Sequence, residues 1–282
     1  MSASDGIEPA PARRAPFAYL YNNAAAYLCL FARRPRAGVG TRGKWLPVIV
    51  AVLGAIAAIL VAMLLLDRWS VGVVQRLPPG LIVFFDIITD YGRSGWFLVP
   101  IGLMLMIVAA ACRPSLAAMS QRVLAAIAVR LGFLFTAILL PGLIFTIVKR
   151  LIGRARPLVG GSLDPFLYAP LGWNVEYSSL PSGHAVNAFA AASALGLLWP
   201  KMRPVLWTYA VMIAVSRVAL TAHYPSDVLA GAIIGVAGTL LIRNWFAARR
   251  LAFLPASDGR IHPMSGPSFA RIRRVARQLI AP

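Results

Sequence analysis

Long apolar runs limit how this chain can fold more than any other feature, because about twenty apolar helical residues span the roughly 30 Å core of a bilayer. Six segments have this character: 46–66, 96–112, 131–148, 182–199, 204–222 and 226–242. They show none of the alternation that barrel strands need, so helices are the way to satisfy their backbone in lipid. The sequence therefore predicts an all-α polytopic membrane protein, a bundle of six transmembrane helices.

Composition agrees with a membrane protein. With 59% hydrophobic and 13% charged residues, the chain is too apolar for an ordinary soluble domain. Its net charge of +19 could suggest nucleic acid, but the basic residues are concentrated in tails beside apolar runs, where they meet anionic lipid headgroups. Cys29 and Cys112 are too few for a disulfide framework or a zinc cluster. We therefore expect a membrane partner and no nucleic acid, and nothing in the sequence sets the oligomeric state.

Three regions follow one another along the chain. Residues 1–44 form a basic tail with an interfacial helix at 17–32, residues 45–246 form the six-helix membrane domain, and residues 247–282 form a second basic tail. In the second tail an apolar residue recurs at helical spacing, which predicts an amphipathic helix lying on a surface; these residues are Phe269, Ile272, Val275 and Leu279. Within the membrane domain, residues 67–95 are predicted to form an interfacial hairpin that turns at 78–80.

The distribution of Lys and Arg predicts the orientation. Six spans place both termini and the loops after the second and fourth spans on one side, and that side carries twenty of the 28 Lys and Arg residues. The positive-inside rule makes it cytoplasmic. The polar motifs described next then face outward, which in a bacterium is the periplasm.

The first motif closes the third span with Lys149, Arg156 and Pro157. Two cations seven residues apart lie on nearly one face of a helix, so both can address one multiply charged oxyanion, and the proline stops the helix. The alternative is a basic anchor of the kind that commonly borders membrane spans. This motif alone does not decide between them.

The second motif, 181–184, opens the fourth span with the residues Pro, Ser, Gly and His. Free N–H groups at a helix start form an anion pocket, and glycine lets the backbone approach a ligand. His184 stands where it could give a proton to a departing oxygen. A plain turn and helix cap is the alternative.

The third motif joins Ser216 and Arg217 at the end of the fifth span to His223 and Asp227 at the start of the sixth. The four-residue separation lets Asp227 reach back to the imidazole of His223, which would fix its tautomer and stabilise its cation. A histidine so oriented beside an anion site is a candidate nucleophile. Alternatively, Arg217 and Asp227 pair with each other across the helix ends.

Together the three motifs match K-x6-RP, PSGH and SR-x5-H-x3-D without a departure, so the chain resembles the type 2 phosphatidic acid phosphatase (PAP2) superfamily over roughly residues 90 to 245. The resemblance implies a PAP2-like helical bundle and a role for each motif residue. His223 would attack phosphorus to give a phosphohistidine, Asp227 would orient it, and His184 would protonate the leaving oxygen. The phosphate would be held by Lys149, Arg156, Ser182, Gly183 and Arg217.

The resemblance implies a membrane lipid phosphatase that acts on a phosphomonoester or pyrophosphate. Its substrate would be lipid A, phosphatidylglycerophosphate, undecaprenyl pyrophosphate or phosphatidate. No metal or other cofactor is expected, because the cations already supply charge neutralisation and the sequence offers no cluster of carboxylates for magnesium. Two alternatives stay open: a phosphotransferase that passes the phosphoryl group to a second lipid, and a non-catalytic transporter or scaffold.

Overall fold

The computed structural model describes residues 16–35, 45–161, 164–256 and 259–280. The described helices, in chain order, are α1 (Pro16–Phe31), α2 (Trp45–Leu65), α3 (Asp67–Val74), α4 (Pro79–Thr89), α5 (Gly95–Ala111), α6 (Ala118–Ile152), α7 (Gly183–Leu198), α8 (Arg203–Ala219), α9 (Pro225–Ala248) and α10 (Phe269–Ile280). Two short strands, β1 (Phe253–Pro255) and β2 (Ile261–Pro263), pair antiparallel between α9 and α10.

Each predicted apolar segment is helical, which confirms the all-α membrane class. Among the described residues, four stretches are long and apolar enough to cross a membrane: Trp45–Leu65, Pro79–Ala111, Ala118–Ile152 and Pro225–Ala248. Helices α7 and α8 occupy the fourth and fifth predicted segments but contain only 16 and 17 residues. The count of six spans therefore stays a prediction.

Helix α7 lies at the centre of the bundle and packs against α6, α8 and α9. Most of its residues are small, and eleven of them are buried. Helix α9 approaches it closely through two glycines: a Cβ on Gly231 would lie 2.6 Å from the carbonyl oxygen of Ser182, and one on Gly235 would lie 2.5 Å from that of Val186. Without a hydrophobic driving force in lipid, such small-residue contacts are what brings helices together.

The hydrophobic core continues past residue 246 into the C-terminal region. Phe253 is completely buried, and its ring lies 4.7 Å from that of Phe133 on α6. On α10, Val275 is buried in the same core while Phe269 is 79% exposed. The β-hairpin was not predicted, because a strand of three residues is too short to show a period.

The remaining expectations concern the connecting and terminal segments. Residues 67–95 do form two arms, α3 and α4, and α4 leads into α5 through the short turn Asp90–Gly92. Helix α1 matches the predicted helix at 17–32, and Asn23 Nδ2 donates to the carbonyl of Ala109 on α5 at 2.8 Å. The other parts of the predicted N-terminal tail, 1–15 and 36–44, lie outside the described residues.

Candidate active site

The first motif reaches the site through a sharp turn at the end of α6. Gly153 adopts φ 64°, a left-handed conformation, and a Cβ there would overlap the carbonyl of Ala169. The helix thus ends at Ile152, before Pro157 could stop it. The expectation that Lys149 and Arg156 share one helix face is therefore wrong, since only Lys149 is helical and Arg156 lies on the irregular segment that follows.

All three motifs nevertheless meet around one pocket of about 270 Å³. Six of the predicted site residues line it or border it directly: Lys149, Arg156, Gly183, His184, Arg217 and His223. Ser182 is fully buried at the start of α7, and Asp227 is fully buried behind His223. The pocket is also lined by residues that the motifs do not include, namely Arg93, Ser94, Phe145, Ser178 and Asn187.

The pocket is strongly cationic. Arg217 is 9% exposed and its Nη1 donates to Thr89 Oγ1 at 2.7 Å, while the buried Nε atoms of Arg217 and Arg156 have no hydrogen-bond partner among the described residues. Burial lowers the pKa of Arg156. No Asp or Glu of the described residues lines the pocket. Buried guanidinium donors without a carboxylate partner are suited to an oxyanion such as phosphate.

His223 is buried beside Asp227, but the two are not directly hydrogen-bonded. His223 Nδ1 lies 3.8 Å from Asp227 Oδ2, an ion-pair distance that is too long for a hydrogen bond. Ser179 Oγ lies between them, 3.4 Å from His223 Nδ1, and donates to Asp227 Oδ2 at 2.6 Å. Burial lowers the pKa of His223 while Asp227 opposes that shift, and the net effect favours the neutral imidazole.

Asp227 is held by several donors at the start of α9. The N–H of Tyr224 donates to its Oδ2 at 2.9 Å, and Arg154 Nη1 lies 2.6 Å from its Oδ1. The alternative in which Arg217 pairs with Asp227 is wrong, since Arg217 bonds Thr89 and the partner of Asp227 is Arg154.

The second motif places His184 on the pocket wall at the start of α7. Its close neighbour is Gly92, where a Cβ would lie 2.9 Å from His184 Cδ2. A Cβ on Gly183 would lie 2.7 Å from Phe145 Cζ, so this position excludes side chains. The N–H of Ser182 donates to the carbonyl of Asp227 at 3.0 Å and is not free, whereas its buried hydroxyl has no partner among the described residues.

Sequence reasoning missed Ser179, Thr89 and Arg154, each of which contacts a motif residue. Ser179 lies just before the second motif and Arg154 within the first, so proximity to a motif was the available signal. Thr89 is 128 residues from Arg217, and no sequence signal pointed to it. Across the described residues, no group of three or more His, Cys, Asp or Glu side chains is arranged to hold a metal ion.

The sequence of this chain is similar to that of known proteins. The PAP2 superfamily model matches residues 130–251. A lipid A 1-phosphatase of Rhizobium etli is 32% identical over 77% of this chain and 91% of its own length. The lipid A 1-phosphatase of Rhizobium johnstonii is 31% identical over 83% of this chain and 95% of its own.

A solved structure is also similar. The crystal structure of Aquifex aeolicus LpxE matches with a TM-score of 0.46 at 23% identity, over 63% of this chain and 94% of that one. The two Rhizobium relatives are aligned over nearly their whole length at more than 30% identity, and the histidines and cations of the motifs meet in one pocket. The chain therefore belongs to the PAP2 superfamily and is a membrane lipid phosphatase.

Proposed function

We propose that this protein hydrolyses the 1-phosphate ester of lipid A or of a closely similar glycolipid through a phosphohistidine on His223. The observation that carries the proposal is the meeting of His184, His223 and the three cations of the motifs in one pocket at the end of a membrane bundle. The substrate class is supported by the two Rhizobium relatives, which are lipid A 1-phosphatases. An apolar bundle beside a cationic pocket also suits an amphiphile better than a soluble phosphate.

In the first step the cations neutralise the phosphate and His223 attacks it. Lys149, Arg156 and Arg217 hold the oxygens, with the Ser182 hydroxyl as a further donor. His223 keeps its proton on Nδ1, facing Ser179 and Asp227, so Nε2 carries the free lone pair. A bond forms from Nε2 to phosphorus as the bond to the lipid oxygen breaks, and His184 gives that oxygen a proton.

In the second step water completes the hydrolysis. His184, now neutral, accepts a proton from a water molecule as the water oxygen attacks phosphorus. The bond from phosphorus to Nε2 breaks, phosphate leaves, and His223 returns to its neutral form. The cations supply the charge neutralisation that a metal would otherwise provide, so the reaction proceeds without added metal.

The proposed orientation places the site on the outer face of the membrane, with both termini in the cytoplasm. The end of the bundle that carries the site bears eight of the 28 Lys and Arg residues, and three of those hold the phosphate. In the predicted six-span topology the other twenty lie on the opposite side. Positive charge is retained on the cytoplasmic side.

Phosphate release by purified protein in detergent with EDTA tests the proposal. The substrates are lipid A, phosphatidylglycerophosphate, undecaprenyl pyrophosphate and phosphatidate, and we expect the fastest release from lipid A with loss of its 1-phosphate. His223→Ala and His184→Ala should each reduce release by at least about 1,000-fold. His262→Ala is the matched control, because this exposed histidine lies in β2, away from the pocket.

Three results would contradict the proposal. Equal rates for His223→Ala and wild type would show that His223 is not the nucleophile. Complete loss of activity in EDTA would show that the reaction needs a metal. Recovery of the phosphoryl group on a second lipid instead of as inorganic phosphate would make the protein a phosphotransferase. Acid-labile labelling of wild type but not of His223→Ala by a 32P-labelled substrate would support the phosphohistidine.

A further inference from the structure

Behind His223, on the side away from the pocket, three charged side chains form a buried row. Asp67, Arg154 and Asp227 each have no exposed surface. Arg154 stands in the middle, with Nη2 2.7 Å from Asp67 Oδ2 and Nη1 2.6 Å from Asp227 Oδ1. Of the three, only Asp227 belongs to the signature motifs, and Asp67 also lies outside the residues that match the family model.

Arg154 is held in one orientation through all three of its side-chain nitrogens. Its Nε donates to the carbonyl of Pro165 at 2.9 Å, and Nη1 also donates to Ser226 Oγ at 2.7 Å. The guanidinium lies 4.5 Å from the centre of the Tyr224 ring. Its planar fork addresses two carboxylates at once, which the single ammonium of lysine cannot reproduce.

Asp67 links this arginine to the first turn of α9. Its Oδ1 accepts from the N–H of Ser226 at 3.0 Å, and its Oδ2 accepts from the hydroxyl of Ser226 at 2.6 Å. Ser226 directly precedes Asp227, so Asp67 holds the backbone next to Asp227 while Arg154 holds its carboxylate. A buried ion pair gives little net stability compared with apolar packing, which points to a role in orientation.

We propose that Arg154 and Asp67 are positioning residues of the phosphatase: they fix the orientation of Asp227 and determine how much of its negative charge remains to stabilise His223 when that histidine becomes cationic. Two carboxylates share one guanidinium, so Asp227 is only partly neutralised. The proposal rests on His223 being the nucleophile proposed above. Neither residue touches the substrate pocket.

Two substitutions should move the acid limb of the pH profile of kcat/KM in opposite directions. In Asp67→Asn, Arg154 pairs with Asp227 alone and neutralises its charge more fully. Asp227 then stabilises the cation of His223 less, so the acid limb moves to lower pH. Arg154→Gln leaves Asp227 unneutralised and moves the limb to higher pH. The other charged or titratable groups around His223 are Arg217 on α8, Arg156 after α6, His184 on α7, and Lys149 and Arg93 across the pocket, and all are unchanged in both variants.

The experiment compares these variants with wild type, with His223→Ala and with two charge-matched controls. We expect kcat to fall roughly 10- to 100-fold in both variants, by analogy with the groups that orient ligands in metal sites. Competitive inhibition by inorganic phosphate should be unchanged, since Lys149, Arg156 and Arg217 still bind it. Arg150→Gln and Asp164→Asn, which remove a charge without a contact to this row, should behave as wild type.

The outcomes separate the two proposals. If His223→Ala is inactive while Asp67→Asn and Arg154→Gln keep the wild-type kcat and acid limb, the positioning role is wrong and the nucleophile stands. If His223→Ala is active, His223 is not the nucleophile, and the proposed function is contradicted whatever the other two variants show. If Asp67→Asn loses phosphate inhibition and monodisperse elution as well as activity, then Asp67 has a structural role and the proposal is overturned. Asp67→Asn decides the test even if Arg154→Gln does not fold, because it leaves Arg154 and Asp227 paired.

Discussion

At the scale of single residues, burial and the neighbouring charges together set the pKa of His223. His223 is buried next to Asp227, and Arg217 and Arg156 are near enough to disfavour its cation. Burial and these arginines outweigh the carboxylate, so the pKa of His223 lies below its ordinary value. The neutral imidazole, which is the form that the proposed nucleophile needs, is therefore favoured beside the cations of the pocket.

The pH dependence of kcat/KM tests this balance. The proposed nucleophile is the neutral imidazole of His223, so its contribution is lost as pH falls through its pKa, which gives the acid limb, while the alkaline limb reflects loss of the proton that His184 must give. Because that pKa is lowered, we expect the acid limb to lie below pH 6.5, the ordinary histidine value. The substrate phosphate itself titrates near pH 6. A parallel 31P NMR titration of the substrate in the same detergent separates the two, and an enzyme limb above pH 6.5 would contradict the prediction.

At the scale of elements, the packing of α9 against α7 builds the site. The start of α9 carries Asp227 and the start of α7 carries His184, so these two residues of the candidate site keep their spacing only if the helix ends stay in contact. Gly231 lies at that contact, where a Cβ would be 2.6 Å from the carbonyl of Ser182. That neighbour is backbone and cannot move aside.

We therefore expect Gly231→Ala to destabilise the protein by roughly 1–3 kcal/mol and to lower kcat, because α9 must move away from α7. Thermal unfolding in detergent and the phosphatase assay measure the two effects. Gly54→Ala on α2 is the control, since nothing lies within 4 Å of a Cβ there and alanine has the higher helix propensity. Equal unfolding temperatures for the two variants would contradict the packing argument.

For the molecule as a whole, the C-terminal region belongs to the folded core, although it is far from the site. Phe253 packs on Phe133 and Val275 enters the same core. Arg130 of α6 donates to the carbonyls of Met264 and Ser265 at 2.9 Å each. These contacts close one end of the bundle, while the candidate active site lies at the other.

Phe253→Ala should lower the free energy of unfolding by about 3–5 kcal/mol without a change in kcat at temperatures where the variant is folded. The reason is that it leaves a cavity next to Phe133 and touches no site residue. Phe269→Ala, at a position that is 79% exposed, is the matched control and should unfold as wild type does. A drop in kcat with unchanged stability would show that this region acts on the site directly.

Topology can be measured with single cysteines in a chain whose Cys29 and Cys112 are replaced by serine. A cysteine at Trp173, which is 85% exposed in the loop beside the site, should react with a membrane-impermeant maleimide in intact cells. A cysteine at Lys201, in the turn between α7 and α8 at the opposite end, should react only after permeabilisation. The reverse pattern would place the site in the cytoplasm.

The sequence alone determined the membrane class, the helical segments and the motif residues, because long apolar runs and fixed motif spacings are local properties of the chain. Only the tertiary structure showed that α6 stops at Gly153, since the carbonyl of Ala169 that excludes a side chain there comes from a later loop. It also decided the partners of the motif residues. Ser179, Thr89 and Arg154 contact them across separations of up to 128 residues. Hydrogen bonds and ion pairs of this kind depend on which helix ends meet, and only the folded chain determines which ends do.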